Sequence, residues 1–152
     1  MQTRPEHTKV GIVGAGPAGL MLSHLLHRAG IASVVLEARS RQYVEERIRA
    51  GVLEQNTVDL MTQHGVGARL ARDGMVHRGV QFRFGGRRRR IDLAALTGGR
   101  TITVYPQHDV VRDLIAARLE VGGDIRFEAD VTGIAGLDGE RPVIRYRQGD
   151  AE

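Results

Sequence analysis

The 152-residue chain has no cysteine and no tryptophan. Without cysteine there is no disulfide framework, no thiolate metal site and no thiol nucleophile, and a reducing, cytoplasmic location is the expectation. Aromatic residues make up only 4% of the chain, too few for the stacking platform that single-stranded nucleic acid needs. A clean apolar run is missing as well. The most apolar stretch, Val10 to Leu26, is broken by Pro17, four glycines, Ser23 and His24, and no small-residue cleavage site follows it. It reads as strand plus helix, not as a signal peptide or membrane span. What remains has the length of one domain, enough to bury a core. Its formal charge of +4 comes from arginine, Lys9 being the single lysine, and much of the excess lies between Arg78 and Arg90. That balance suits acidic ligands.

The most informative stretch runs from Lys9 to Leu20, where an apolar segment leads into Gly14, Gly16 and Gly19 at GxGxxG spacing. A bare GxGxxG is weak evidence, but here its context agrees. Ala18 to Ala29 carries Leu22, Leu25, Leu26 and Ala29 at helical spacing, Gly30 ends that helix, and Ser33-Val-Val-Leu-Glu37 reads as a second buried strand. In such a turn the first glycine permits the sharp bend, the second lets backbone approach a pyrophosphate, and the third lets the helix pack close, with phosphate on the helix N-terminus. Glu37 follows Gly19 at the distance where an acid grips a ribose 2′-hydroxyl. The pattern is that of a dinucleotide-binding βαβ unit.

Further along, the expected elements follow the same α/β logic, with no repeat and no long linker. A polar, Arg-rich connection leads to Arg49, and a helix is expected from about Leu53 to His64, closed by Gly65, with Val58 and Met61 among its apolar positions. A short helical turn falls near Ala68 to Arg72. Val80 to Phe84 alternates like a half-buried strand, Gly85-Gly86 turns, and Arg89 to Leu93 returns as its partner. Thr101 to Tyr105 is a strand stopped by Pro106, and Gln107 to Val121 a helix with Val111, Leu114, Ile115 and Leu119 at helical spacing. Asp124 to Glu128 should be a third core strand beyond the second one, and Val131 to Arg147 a hairpin around Asp138-Gly139. The first strand, Val10 to Val13, is apolar enough to be buried on both faces.

Arg47-Ile-Arg-Ala-Gly-Val-Leu-Glu-Gln55 turns this fold reading into a family reading. Together with the glycine turn, Glu37, Arg72 to His77, Arg87 to Leu93 and Thr103 to Gln107, it resembles the N-terminal part of the 4-hydroxybenzoate 3-monooxygenase family, over nearly the whole chain. The resemblance implies an FAD enzyme in which NADPH, or NADH, reduces the flavin and one oxygen atom of O2 is passed to the ring carbon ortho to a phenolate, converting 4-hydroxybenzoate to 3,4-dihydroxybenzoate. It implies Gly14, Gly16 and Gly19 at the pyrophosphate, Glu37 at the adenosine ribose, the segment Arg47, Ile48, Arg49, Ala50, Gly51 and Val52 along the pyrophosphate and flavin, and Gln107 at the ribityl chain. Arginine suits phosphate as a planar, permanently charged donor, and Gly51 would let backbone lie against a flat ring.

Two positions depart from the family pattern. Ala18 stands where a small hydroxyl residue is usual, which removes a side-chain hydrogen bond to FAD but keeps the backbone donor. Ala38 stands where an arginine bearing on NADPH preference is usual, with Arg39, Arg41 and Tyr43 close by to compensate. The family's later Asp-Gly strand, substrate sheet and Gly-Asp motif have no counterpart here. The resemblance therefore implies an incomplete domain, residues 1–152 being the first part of an FAD/NAD(P)-binding domain without its substrate-binding domain. No catalytic residue can be assigned, and a homodimer stays open for the full-length protein.

Other features read more plainly. Arg87 to Arg90 suits a solvated hairpin edge better than a nucleic-acid surface. The six histidines lack the spacing of a metal site, Ser23 and Ser40 lack a triad context, and Glu45-Glu46 are neighbours in a charged loop. Two function classes stay open: the cofactor-binding beginning of a flavin-dependent aromatic hydroxylase, and a stand-alone FAD- or NAD-binding module without chemistry of its own. A nicotinamide dehydrogenase is a third, because the turn and Glu37 would serve NAD equally well.

Overall fold

A computed structural model describes residues 6–149. The apolar start forms β1 (Val10–Val13), the glycine turn follows, and α1 (Pro17–Arg28) begins with Pro17, whose fixed φ and missing N–H suit a first helical position. β2 (Ser33–Glu37) matches its expected bounds. The polar connection after it contains a helix that apolar periodicity does not reveal, α2 (Arg41–Glu46). Ser40 Oγ accepts the Tyr43 N–H as its N-cap, and Arg41 pairs with Glu45 at 2.7 Å one turn on. Next come β3 (Val52–Glu54), α3 (Gln55–Gln63), α4 (Ala68–Asp73), β4 (Met75–His77), β5 (Gly79–Phe84) and β6 (Arg87–Asp92). The chain continues through α5 (Leu93–Leu96), β7 (Ile102–Val104), α6 (Gln107–Glu120), β8 (Asp124–Phe127), β9 (Ala129–Ala135) and β10 (Val143–Gln148). The fold is α/β, with a Rossmann-like parallel sheet and small antiparallel sheets.

The described residues form two compact units, 6–47 with 111–149 and 48–110. In the first, β1, β2 and β8 make a parallel sheet in that order, with Val10 opposite Ser33 and Val34 opposite Asp124. The third strand thus lies beyond the second, as expected. Glu128 then takes φ 57, a conformation rare outside glycine, to turn the chain into the β9–β10 hairpin. Ile144 of β10 lies over β1 at Gly11, where a Cβ would come within 2.6 Å of its Cδ1. Of the four residues in β1 only Ile12 is buried, so the expected burial on both faces is not met: the face bearing Gly11 and Val13 is exposed.

The buried face of α1 differs from its leucine stripe. Leu20, Met21, Ser23 and His24 are buried, whereas Leu22 is exposed and Leu25 and Leu26 are half-buried. The reason is a polar contact under the helix: Ser23 Oγ lies 3.1 Å from Ser33 Oγ of β2 and accepts a hydrogen bond from Arg118 Nε of α6 at 3.0 Å. Arg118 is only 3% exposed, burial pushes its pKa down, and Nη1 has no hydrogen-bond partner. A buried charge so poorly compensated contributes little stability. Arg118→Met, similar in volume and apolar, should therefore match or exceed the parent in chemical denaturation, while Arg118→Ala should lose about 2 kcal/mol or more through the cavity it leaves. A large loss in the methionine variant would mean that the guanidinium itself holds α6 in place.

In the second unit, β7 runs between β3 and β4, antiparallel to both. Met61, Val66, Leu70 and Tyr105 are buried around it. The β5–β6 hairpin turns at Gly85 and Gly86, both at positive φ. The expected half-burial of Val80 to Phe84 fails towards the tip: Phe82 and Phe84 are exposed and β6 is exposed throughout. A two-stranded ribbon buries a face only against another layer.

Candidate nucleotide site

Two hydrogen bonds from the end of β1 set the geometry of the glycine turn. Gly14 N donates to Leu36 O at 2.7 Å, and Ala15 N donates to Glu37 Oε2 at 2.8 Å. Glu37 ends the strand parallel to β1, and its other oxygen, Oε1, accepts the Arg39 N–H at 2.9 Å. The turn therefore meets the end of β2 once through backbone and once through the acid. The first intrahelical bond of α1 runs from Leu20 N to Gly16 O, so the N–H groups of Ala18 and Gly19 lie in the unpaired first turn of a twelve-residue helix. They are donors for an anion.

The three glycines are held for different reasons. Gly14 has φ +104, which side chains rarely adopt. At Gly19 a Cβ would stand 2.2 Å from Gly14 O and 3.2 Å from Ile12, so the close approach of α1 to the turn requires glycine. Gly16 has ordinary extended angles, φ −76 and ψ 174, and an added Cβ would meet nothing within 4 Å. No protein atom requires glycine there. The open space above it, at the N-terminus of α1, is of the kind a pyrophosphate enters.

The remaining candidate residues fall in two places. Arg47 ends α2, its guanidinium 5.5 Å from the Tyr43 ring centre, and Arg39 lies at the same distance from that ring. Arg41, by contrast, is engaged with Glu45. Ile48, Arg49, Ala50 and Val52 are exposed in the second unit. There Gly51 O accepts the Tyr105 N–H at 3.1 Å, two residues before Gln107, so the structure brings the Ile48–Val52 segment and the start of α6 side by side. Gly51 is required by the protein itself, because a Cβ would come within 2.0 Å of Tyr105 O. The sequence reading missed that reason. It also missed the bond from Ala15 to Glu37, which only an acid at a strand end beside the turn could have signalled.

A protein-family model described as FAD binding domain matches residues 7–152. The p-hydroxybenzoate hydroxylase of Acinetobacter baylyi is 50% identical over 115 residues, 76% of this chain and 28% of that protein. Dialkyldecalin synthase of Streptomyces rugosporus is 32% identical over 126 residues, 81% of this chain and 26% of that protein. The chain thus spans little more than a quarter of the length of either relative. Among solved structures, p-nitrophenol 4-monooxygenase PnpA from Pseudomonas putida DLL-E4 matches with a TM-score of 0.80 at 23% identity, over 93% of this chain and 37% of that one. At that identity the likeness is one of fold. No helix among the described residues is long and apolar enough to cross a membrane.

Proposed function

The chain belongs to the FAD-binding domains of the aromatic hydroxylase family, and we propose that it supplies the cofactor-binding first part of an enzyme that converts 4-hydroxybenzoate to 3,4-dihydroxybenzoate with NADPH and O2. The observation that carries the FAD reading is Gly16, a glycine with no backbone or packing reason of its own beside free helix N–H groups. The 50% identity to a p-hydroxybenzoate hydroxylase supports the substrate. In this reading the Ala18 and Gly19 N–H groups hold the pyrophosphate in the open space beside Gly16, and Glu37 accepts the ribose hydroxyls. For the second unit, taken by itself, the resemblance implies flavin contacts from Arg49, Gly51 and Gln107. Bound FAD supplies the redox chemistry, and the protein supplies binding, orientation and electrostatics.

The test is the full-length protein that contains these residues. It should purify with FAD, consume NADPH in the presence of 4-hydroxybenzoate and release 3,4-dihydroxybenzoate. NADPH oxidation without a hydroxylated product would reject the substrate assignment, and a colourless protein that FAD cannot load would reject the cofactor assignment.

Reductant choice should rest on α2. With Ala38 offering no charge and Arg41 paired with Glu45, the two guanidiniums beside Tyr43 are the groups we assign to a 2′-phosphate. In the full-length enzyme Arg39→Ala and Arg47→Ala should each lower the preference for NADPH over NADH roughly tenfold, the worth of one charge-assisted phosphate contact. Steady-state kinetics with both nucleotides reads this out. An unchanged ratio in both variants would place the discrimination elsewhere.

A further inference from the structure

Glu37 is expected to grip a ribose, yet both of its carboxylate oxygens are already at work within the protein. Oε2 accepts the Ala15 N–H from the glycine turn, and Oε1 accepts the Arg39 N–H from the connection into α2. Ala15 is fully buried, so water cannot take over its donor. The preceding N–H, that of Gly14, is held by Leu36 O, which makes Glu37 the next step of the same ladder, extended by a side chain past the point where the strands end.

We infer that Glu37 is a positioning residue for the phosphate site: it fixes the Ala15 peptide, and so the path of the turn through Gly16, whether or not nucleotide is bound. Each carboxylate oxygen accepts more than one hydrogen bond. The clamp therefore leaves capacity for two ribose hydroxyls, and one residue serves both tasks. A carboxylate is needed where a glutamine will not do, because both inward-facing groups are donors. An amide could accept from one of them only by turning its NH2 against the other.

The inference rests on the FAD-binding reading for its ligand arm alone. In the nucleotide-free 152-residue chain, hydrogen exchange resolved to single amides should show Ala15 protected in the parent. In Glu37→Gln it should exchange roughly tenfold faster or more, with Glu45→Gln as a surface control that leaves it unchanged. An Ala15 amide that exchanges in the parent as fast as an exposed loop amide overturns the clamp, and that measurement needs no variant to fold.

The second arm, in the full-length protein freed of nucleotide, compares ADP with 2′,3′-dideoxy-ADP, which keeps the diphosphate and lacks the hydroxyls. If Glu37 served only the ribose, removing its negative charge would leave dideoxy-ADP binding unchanged or tighten it. As a clamp, its loss should weaken dideoxy-ADP roughly tenfold, because the turn no longer presents its donors in place. A change in stability alone would not produce that result below the melting temperature. Unchanged or tighter dideoxy-ADP binding overturns the positioning role. If the full-length protein binds neither ADP nor FAD, the FAD reading fails, while the Ala15 exchange still decides the clamp.

Discussion

Gly16→Ala should fold as well as the parent and bind nucleotide far more weakly, whereas Gly19→Ala should damage the fold itself. At Gly16 two small terms oppose each other. Alanine is a poorer N-cap than glycine, but it lowers the entropy of the unfolded chain at angles it adopts without strain, and each term is under about 1 kcal/mol. Nothing in the protein stands within 4 Å of the new Cβ. A pyrophosphate on the N-terminus of α1 would meet it, and such overpacking costs about 1–3 kcal/mol, or roughly 5- to 150-fold in affinity. At Gly19 the Cβ would stand 2.2 Å from Gly14 O, a backbone atom that Gly14 N→Leu36 O anchors to the sheet. The helix must then back away from the turn, and stability should fall by about 1–3 kcal/mol before any ligand is added. Thermal unfolding and ADP titration of the two variants check both halves. If Gly16→Ala binds ADP like the parent, the open space above that glycine is not where the phosphates lie.

The βαβ core was legible because its constraints are local. The bends at Gly14 and Gly30, the packing at Gly19 and the acid at Glu37 all lie within one strand–helix–strand passage, and each residue type has a steric or chemical reason to be there. Elements made by distant partners were not. β3 and β4 are three residues each and exist because β7 pairs with both, which no short window of sequence reveals. α2 lacks an apolar stripe and has no buried residue; its support is a serine cap and charged side chains one turn apart. The buried face of α1 was misread because Ser23 looks like a solvent residue until Arg118, 95 positions later, lies against it. Gly51 faces a carbonyl of its own chain, contributed by Tyr105, a steric requirement that the residues around it in sequence do not reveal.

Residues 1–152 expressed by themselves should self-associate, lose FAD on a sizing column and form no 3,4-dihydroxybenzoate. β1 is the outer strand of the β1-β2-β8 sheet, so a row of its backbone groups has no strand partner among the described residues. Its open face continues into one groove with α6 and the β9–β10 hairpin, where Val13, Val121, Ile134, Leu137 and Val143 are each about half exposed or more (48–74%). An unpaired parallel edge beside a contiguous apolar surface is a template for other chains. Loss of activity has a separate cause. The chain covers 28% of the length of the p-hydroxybenzoate hydroxylase it resembles, and none of its residues carries an assigned catalytic role. Val13→Lys, which places a charge on the open face of β1 and leaves the glycine turn alone, should restore monomers without restoring product. Light scattering, flavin absorbance and product analysis measure the three outcomes. A monomeric, flavin-saturated parent chain that hydroxylates 4-hydroxybenzoate would show that the open edge and groove are harmless and that the chemistry needs nothing beyond these residues.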